Sequence, residues 1–303
     1  MNIFKQIIKG LKKPRITFAF MISKFSYFLS DISLIKLRYY VLMKKKLNLK
    51  NPQTYNEKLQ YLKLYNKCDD YTKMVDKYAV KEYVSTKIGH EYVIPTIGCW
   101  NTADEIEWDK LPDRFVLKTT HGGGNCGVII CKNKKNANIN EIIKKLNKSL
   151  KQDLYKISLE YPYKNVVKRI IAEPYMEDKI THELRDYKFF CFNGIVKAMF
   201  IGSERQKRKE PFFDFFDPDF NLLPIRQGHP NSIKHPEKPL CFEEMKLIAS
   251  KLSENIPHVR VDLYEVNGKV YFGELTFFHF GGFVPFEPHE WDYKFGEWLK
   301  LPK

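Results

Sequence analysis

The stretch FVLKTTHGGGNCGVIIC, residues 115–131, packs four glycines into six positions. Gly122-x-Gly124-x-x-Gly127 has the spacing of a dinucleotide-binding fingerprint, but that fingerprint requires a helix after the glycines, so that its N-terminus meets the pyrophosphate. Here VIIC follows Gly127, a strand pattern, and the loop therefore joins two strands. No Gly-Lys-Ser/Thr run is present, and neither HRD nor DFG follows, as a kinase glycine loop would require. What remains is a glycine hairpin with Lys118 just upstream. Its backbone N–H groups can close over phosphates while the Lys118 ammonium neutralises them. A plain tight turn between two strands would carry the same letters, so a second half of the site has to be found elsewhere.

VRVDLYEVNGKVYFGELTF, residues 259–277, supplies a candidate. Val259, Val261 and Leu263 alternate onto one face of a strand and leave Arg260 and Asp262 on the other. In the following strand Glu274 and Thr276 share a face. Register parity decides whether the two sets meet. A two-residue Asn267-Gly268 turn pairs Asp262 with Gly273 and separates the carboxylates. A three-residue Val266-Asn267-Gly268 turn pairs Arg260 with Glu274, sets Asp262 diagonally adjacent, and lets two carboxylates share a divalent cation. The three-residue turn is the expectation. The competing reading is a cross-strand ion pair of Arg260 with either acid, with no metal.

Around these motifs the chain reads as globular. It has 303 residues, 44% hydrophobic and 15% aromatic, enough for a sizeable core. Thr54-x-x-Glu57 begins a helix with a capping box, a second helix is expected from about 72 to 87 with Gly89 as its stop, and a third over about 138–150. YVIPTIGCW reads as a strand. Asn-Gly turns at 193–194 and 267–268 mark hairpins, and RQKRKEPFFDFFDPDFN (205–221) reads as a charged loop. Six cysteines lack any C-x-x-C spacing, so neither zinc nor a disulfide framework is indicated, and a cytoplasmic setting is expected.

The net charge of +15 is regional: residues 1–50 hold twelve Lys/Arg against Asp31 alone. That segment reads as a basic, amphipathic, helical region, either packed on the domain or in peripheral contact with an anionic membrane face or glycan-lipid. With most of the charge there and no recognition module visible, nucleic acid is not an expected partner. Asp217-Pro218-Asp219 has the D-x-D spacing of a glycosyltransferase metal site, the alternative enzyme class, although a Phe- and Pro-rich turn explains it more simply. No convincing Ser-His-Asp or Cys-His arrangement appears, and the sequence carries no signal for oligomeric state.

NPQTYNEKLQYLKLY (51–65), DKYAVKEYV (76–84), FVLKTTHGGG (115–124), AEPYM (172–176), DYKFFCFNG (186–194) and RVDLYEVNGKVYFGELTF (260–277), in that order, resemble the ATP-grasp superfamily. The similarity is to its TupA-like branch, linked to teichuronopeptide and surface-polysaccharide synthesis. The resemblance implies an α+β fold in which two lobes of mainly antiparallel sheet plus helices hold ATP between them, after the basic N-terminal region. The expected divisions are 1–50, an N-terminal subdomain 51–114, a lid subdomain 115–174 with the glycine hairpin, and a C-terminal subdomain 175–303 carrying the metal site.

It also implies roles. Lys77 and Lys118 would contact ATP, with Thr119, Thr120, His121, Gly122, Gly123 and Gly124 forming the lid over the phosphates. Glu173 would accept from the adenine amino group, with backbone from Pro174 through Tyr175 to Met176 reading the base edge. Asp186 would meet the ribose and Lys188 the phosphates. Asp262 and Glu274 would bind Mg2+, with Thr276 in place of the asparagine many relatives carry. Arg260 would hold the acyl intermediate, and His279, Gly281 and Gly282 would face substrate. The implied reaction is amide formation through an acyl phosphate, joining an amine or amino acid to a uronic acid or related carboxylate. The expected location is the cytoplasm, with peripheral contact at the inner face of the membrane as one of the two readings of the basic segment.

Overall fold

In a computed structural model, which describes residues 29–123, 127–204 and 210–302, the chain opens with α1 (Asp31–Met43), capped by the Ser30 hydroxyl accepting from the Ser33 amide. The rest of the basic segment, residues 1–28, lies outside the described residues. α2 (Tyr55–Tyr65) begins at the expected capping box, with Thr54 Oγ1 and the Glu57 carboxylate each accepting from the other's backbone amide. The helix expected over 72–87 is instead two, α3 (Asp70–Val75) and α4 (Val80–Ile88). The break falls at Asp76, whose Oδ1 accepts from the Tyr78 and Ala79 amides and so competes with the helical ladder. Because of that break, the Lys77 amide is free to donate to the Thr120 carbonyl at 3.0 Å, outside its own helix.

The glycine hairpin belongs to the smaller sheet. β1 (Gly98–Trp100), all that remains of the longer strand expected in YVIPTIGCW, precedes β2 (Phe115–Thr119) and β3 (Val128–Cys131). α5 (Ile139–Leu150), α6 (Leu154–Ser158) and β4 (Ile170–Pro174) complete this lobe in the order β1-β4-β2-β3, antiparallel throughout. β2 buries Phe115, Leu117 and Thr119, and the first two pack against Ile142 and Leu146 of α5. Val116 and Lys118 therefore occupy the opposite face. Ala103, Ile106 and Leu111 sit in the same core, so this lobe starts well before 115. The division expected at 114/115 cuts through it.

The larger sheet is built from β5 (Asp186–Phe192), β6 (Ile195–Ser203), β7 (Phe212–Phe216), β8 (Leu222–Leu223), β9 (Val259–Val266) and β10 (Lys269–Thr276), in the order β10-β9-β5-β6-β7-β8. β7 corrects part of the loop expected over 205–221: Phe212–Phe216 pair with β6, while 205–209 lie outside the described residues. α7 (Phe242–Leu252) and α8 (Glu290–Trp298) flank the sheet. Its core joins Phe189, Phe190, Leu263 and Phe295 to Tyr55, Leu59, Val75 and Val84. The helices of the expected N-terminal subdomain are therefore part of the larger lobe, since their apolar faces are covered by this sheet.

Candidate nucleotide and metal site

The β9–β10 connection departs from the expectation. Lys269 pairs with Val266, so the turn is the two-residue Asn267-Gly268, both residues with positive φ (53° and 72°). By parity alone that turn would separate the two carboxylates. A β-bulge intervenes: the register shifts between Phe272 and Glu274, leaving Gly273 as the extra residue, and beyond it Glu274 pairs with Asp262 and Thr276 with Arg260. The carboxylates do share a face, by a route the sequence reading did not include, and Arg260 faces Thr276 instead of Glu274. A Cβ on Gly273 would lie 2.9 Å from the Asp262 carbonyl oxygen and 3.1 Å from the Tyr264 ring, so the bulge position excludes a side chain.

Lys188 pairs with Asp262 from the other side, which gives a row Lys188–Asp262–Glu274 across three adjacent strands. Asp262 is fully buried. Arg260 grips it with two bonds of 2.7 Å, Nε to Oδ1 and Nη2 to Oδ2, and Lys188 Nζ donates to Oδ2. Burial alone would lower the Arg260 and Lys188 pKa values. Asp262 reverses this for Arg260, which ends raised, while burial prevails at Lys188, which ends lowered. Arg260 Nη2 lies 3.6 Å from Glu274 Oε1 and donates at 3.0 Å to Thr276 Oγ1. Thr276, expected as a third metal ligand, thus gives its hydroxyl oxygen to Arg260. Asp186 is buried on the same face, 3.5 Å from Lys188.

His279 is a strut. It is fully buried, its Nδ1 accepts from Arg260 Nη1 at 2.5 Å, and its Nε2–H donates to Gln227 Oε1 at 3.0 Å. Arginine can only donate, which fixes this tautomer. Burial and the neighbouring Arg260 charge hold the imidazole neutral, far below its usual range. The adjoining glycines are spent similarly: the Gly281 amide closes a turn onto the Phe278 carbonyl, and the Gly281 and Gly282 carbonyls both accept from Gln60 Nε2 at 2.9 Å.

Lysines from elsewhere converge on the same place. Lys77 Nζ donates to the Gly122 carbonyl and lies 3.9 Å from Glu274 Oε2, tying the glycine hairpin to the carboxylate row. Lys118 Nζ meets Glu173 Oε2 at 2.5 Å, and Lys81, which the sequence reading passed over, meets Glu173 Oε1 at 2.6 Å. Burial would lift the Glu173 carboxyl, but the two ammoniums prevail and hold it below the ordinary carboxylate range.

The side chains of the THGGG run point elsewhere. Thr119 Oγ1 bonds Ser149 Oγ at 3.0 Å, Thr120 Oγ1 donates to the Val167 carbonyl, and His121 Nε2 donates to the Ser149 carbonyl, all three residues being buried. Their expected contacts with phosphate are replaced by bracing of the small lobe, because β2 alternation turns Thr119 inward. Gly122 and Gly123 remain at the hairpin, whereas Gly124 lies outside the described residues. Gly127 (φ 75°) closes the hairpin where a Cβ would fall 2.0 Å from Thr119 Oγ1. The Tyr175 ring lies under Arg114, 4.2 Å from its guanidinium, and Met176 is half-buried just past β4. Asp217 Oδ1 caps the Asp219 and Asn221 amides, which makes the D-x-D spacing a turn.

Among the described residues no three His, Cys, Asp or Glu side chains form a metal cage. Of the three carboxylates on this face, Asp262 and Glu274 stand directly opposite each other, and Glu274 lies beside the Gly122 loop through Lys77. Two carboxylates completed by phosphate oxygens and water suit Mg2+, so the residues fit that ion when it arrives with a nucleotide.

Residues 57–300 match the model of the TupA-like ATPgrasp family. No curated protein matches the chain. Among solved structures, the D-alanine–D-alanine ligase of Helicobacter pylori is 15% identical with a TM-score of 0.42, over 82% of this chain and 69% of that one. The Bacillus anthracis ligase is 16% identical with a TM-score of 0.40, over 67% of this chain and 56% of its own length. An N5-carboxyaminoimidazole synthetase of Staphylococcus aureus, complexed with ADP, is 15% identical with a TM-score of 0.40, over 80% and 50%. The chain thus spans about half to two thirds of the length of these structures.

Proposed function

The chain belongs to the TupA-like ATP-grasp family, and from that premise we propose that it is an ATP-dependent carboxylate–amine ligase. The observation that carries this reading is the row Lys188–Asp262–Glu274, gripped by Arg260 and met by Lys77, which also holds the Gly122 carbonyl of the glycine hairpin. In the reaction a substrate carboxylate oxygen attacks the γ-phosphorus of ATP and ADP departs, leaving an acyl phosphate. An amine nitrogen then attacks the acyl carbon, phosphate leaves with the electrons of the C–O bond, and the nitrogen gives up a proton.

Such chemistry asks a protein for positioning and charge neutralisation. Lys77, Lys118 and Lys188 supply positive charge toward the phosphates, and Arg260 supplies it toward the acyl oxygen. Asp262 and Glu274 would hold Mg2+, whose charge would offset that of the β- and γ-phosphates. Gly122 and Gly123 cover the phosphates, and backbone from Pro174 through Met176 reads the adenine edge. His279 acts through Arg260. The Asp217 turn gives the D-x-D spacing of the glycosyltransferase alternative a structural explanation of its own.

The finer reading is that the carboxylate is a uronic acid or related acid of a cell-surface polysaccharide and the amine an amino acid or amino sugar. The basic N-terminal segment would hold the anionic glycan-lipid or membrane face. α1 supports this with exposed Ile32, Leu37 and Tyr40, followed by Lys44–Lys46, while among the described residues no helix is long and apolar enough to cross a membrane. Purified protein incubated with Mg-ATP and a panel of uronic acids and amino acids should release ADP over many turnovers only when carboxylate and amine are both present, and Lys118→Ala and Glu274→Ala should abolish that release. Sugar-nucleotide turnover without ATP would overturn the ligase reading. Flotation on anionic vesicles that is unchanged on removal of residues 1–28 would remove the membrane role from that part of the segment.

A further inference from the structure

Lys81 has no part in the reaction as proposed, yet it is the most fully committed ammonium near the site. It projects from α4 in the large lobe, and its three N–H donors are matched by three acceptors: the Ile94 carbonyl at 2.8 Å, Thr96 Oγ1 at 2.7 Å and Glu173 Oε1 at 2.6 Å. No donor is left over for a ligand. Glu173 is 5% exposed and sits on β4 opposite Val116, so it shares the non-core face of the small sheet with Lys118, one step along β2. Its second oxygen receives Lys118 at 2.5 Å. Among the described residues Lys118 has no other hydrogen-bond partner, which leaves two of its three donors uncommitted there.

We propose that Lys81 is a positioning residue which, through Glu173, fixes the Lys118 ammonium against the phosphates of the nucleotide. Glu173 between two lysines is then an ion-pair anchor, and the adenine edge falls to the backbone beyond it. Without Lys81 the Glu173 carboxylate loses one of its two cations and is free to swing, and Lys118 swings with it. A buried carboxylate with one partner removed is a poor anchor, because the remaining pair must satisfy the desolvation of both groups alone. The pair Lys81–Glu173 also joins a helix of the large lobe to a strand of the small one, so Lys118 is referenced to the lobe that carries the carboxylate row.

This inference rests on the nucleotide-binding reading, and the test separates the two. Calorimetric titration with AMP-PNP and with adenosine is run on the full chain and on Lys81→Met, Lys118→Met and the double variant. The expected result is that Lys81→Met weakens AMP-PNP by about tenfold, leaves adenosine within about twofold, and costs nothing further in the Lys118→Met background, the signature of two residues acting as one unit. Equal losses for both ligands, or independent losses in the double variant, would assign Lys81 a merely structural role and overturn the proposal. Should Lys81→Met not fold, Glu173→Gln carries the same test: it must weaken AMP-PNP and spare adenosine, and a loss of adenosine affinity would return Glu173 to reading the base. A wild-type chain that binds neither ligand would overturn the relay together with the reading beneath it.

Discussion

Glu274 stands directly across from Asp262 because Gly273 is an extra residue in its strand. The two-residue turn at Asn267-Gly268 sets one register for the first half of the hairpin, and the bulge sets another for the half that carries the carboxylates. A side chain at 273 would collide with the Asp262 carbonyl at 2.9 Å, an oxygen of the backbone that cannot rotate away. Gly273→Ala should therefore destabilise the protein by about 1–3 kcal/mol, the range for forced overpacking, and weaken Mg2+-dependent ATP binding by at least about tenfold. Urea denaturation and ATP titration with and without Mg2+ read the two effects; an alanine variant with native stability and native affinity would show that the bulge is not needed.

The two acids of the row should separate stability from function. Asp262 is fully buried between Arg260 and Lys188, so Asp262→Asn takes from two buried cations the counter-charge nearest to both, a loss of about 3–5 kcal/mol. Glu274 has a side chain 35% exposed, and Glu274→Gln should cost under about 1 kcal/mol. Both should remove the Mg2+ dependence of ATP affinity. If Glu274→Gln proved as destabilising as Asp262→Asn, the row would be a structural ion network and its reading as a metal site would fail.

Much of this site was legible in the chain, and the reasons it stopped being legible are local. Alternation in β9 put Arg260 and Asp262 on one face, the strand after Gly127 excluded the dinucleotide loop, and the Asn-Gly pairs marked both hairpins. A bulge, however, leaves no letter pattern of its own; a lone glycine inside a strand was the signal, and only the contact of its Cβ with the Asp262 carbonyl shows what it does. Lys81 looked like any helix lysine, because its meaning lies in Glu173, ninety-two positions away in sequence. The THGGG side chains misled for the opposite reason: proximity in sequence to the phosphate loop was read as contact, whereas strand alternation and the Ser149 contacts turn them into the lobe. His279 and the two glycines after it suggested substrate contacts and proved to be supports for Arg260 and α2.

Acid should destabilise the fold through His258. This imidazole is buried, Nδ1–H donates to the Cys191 carbonyl at 2.9 Å and Nε2 accepts from the Tyr55 hydroxyl at 2.7 Å. Burial pushes its pKa from 6.5 down to about 3. The folded value is the depressed one, so the neutral form's stabilisation is fully present above about pH 6.5 and is lost as the pH falls from there toward 3. Each pH unit in that window should remove roughly 1.4 kcal/mol, or about 2 kcal/mol between pH 6.5 and 5. Urea melts at the two pH values should show that loss in the wild type and a correspondingly smaller one in His258→Gln. Parallel slopes for the two proteins would mean that the imidazole already titrates normally in the fold.

His279 should matter to catalysis without titrating in it. Its Nδ1 lone pair is occupied by Arg260 and its Nε2–H by Gln227, and it has no accessible surface through which to exchange a proton with substrate. Removing it lets the Arg260 guanidinium tilt away from the place where acyl charge develops, and misplacement on that scale costs on the order of a hundredfold in rate. His279→Ala should accordingly lower kcat by about ten- to a hundredfold, with the pH dependence of kcat keeping its wild-type shape. Gln227→Met, which removes only the outer support, should give a smaller loss of the same kind. An acidic limb in the wild-type profile that disappears in His279→Ala would make the histidine a proton-transfer group and overturn its assignment as a strut for Arg260.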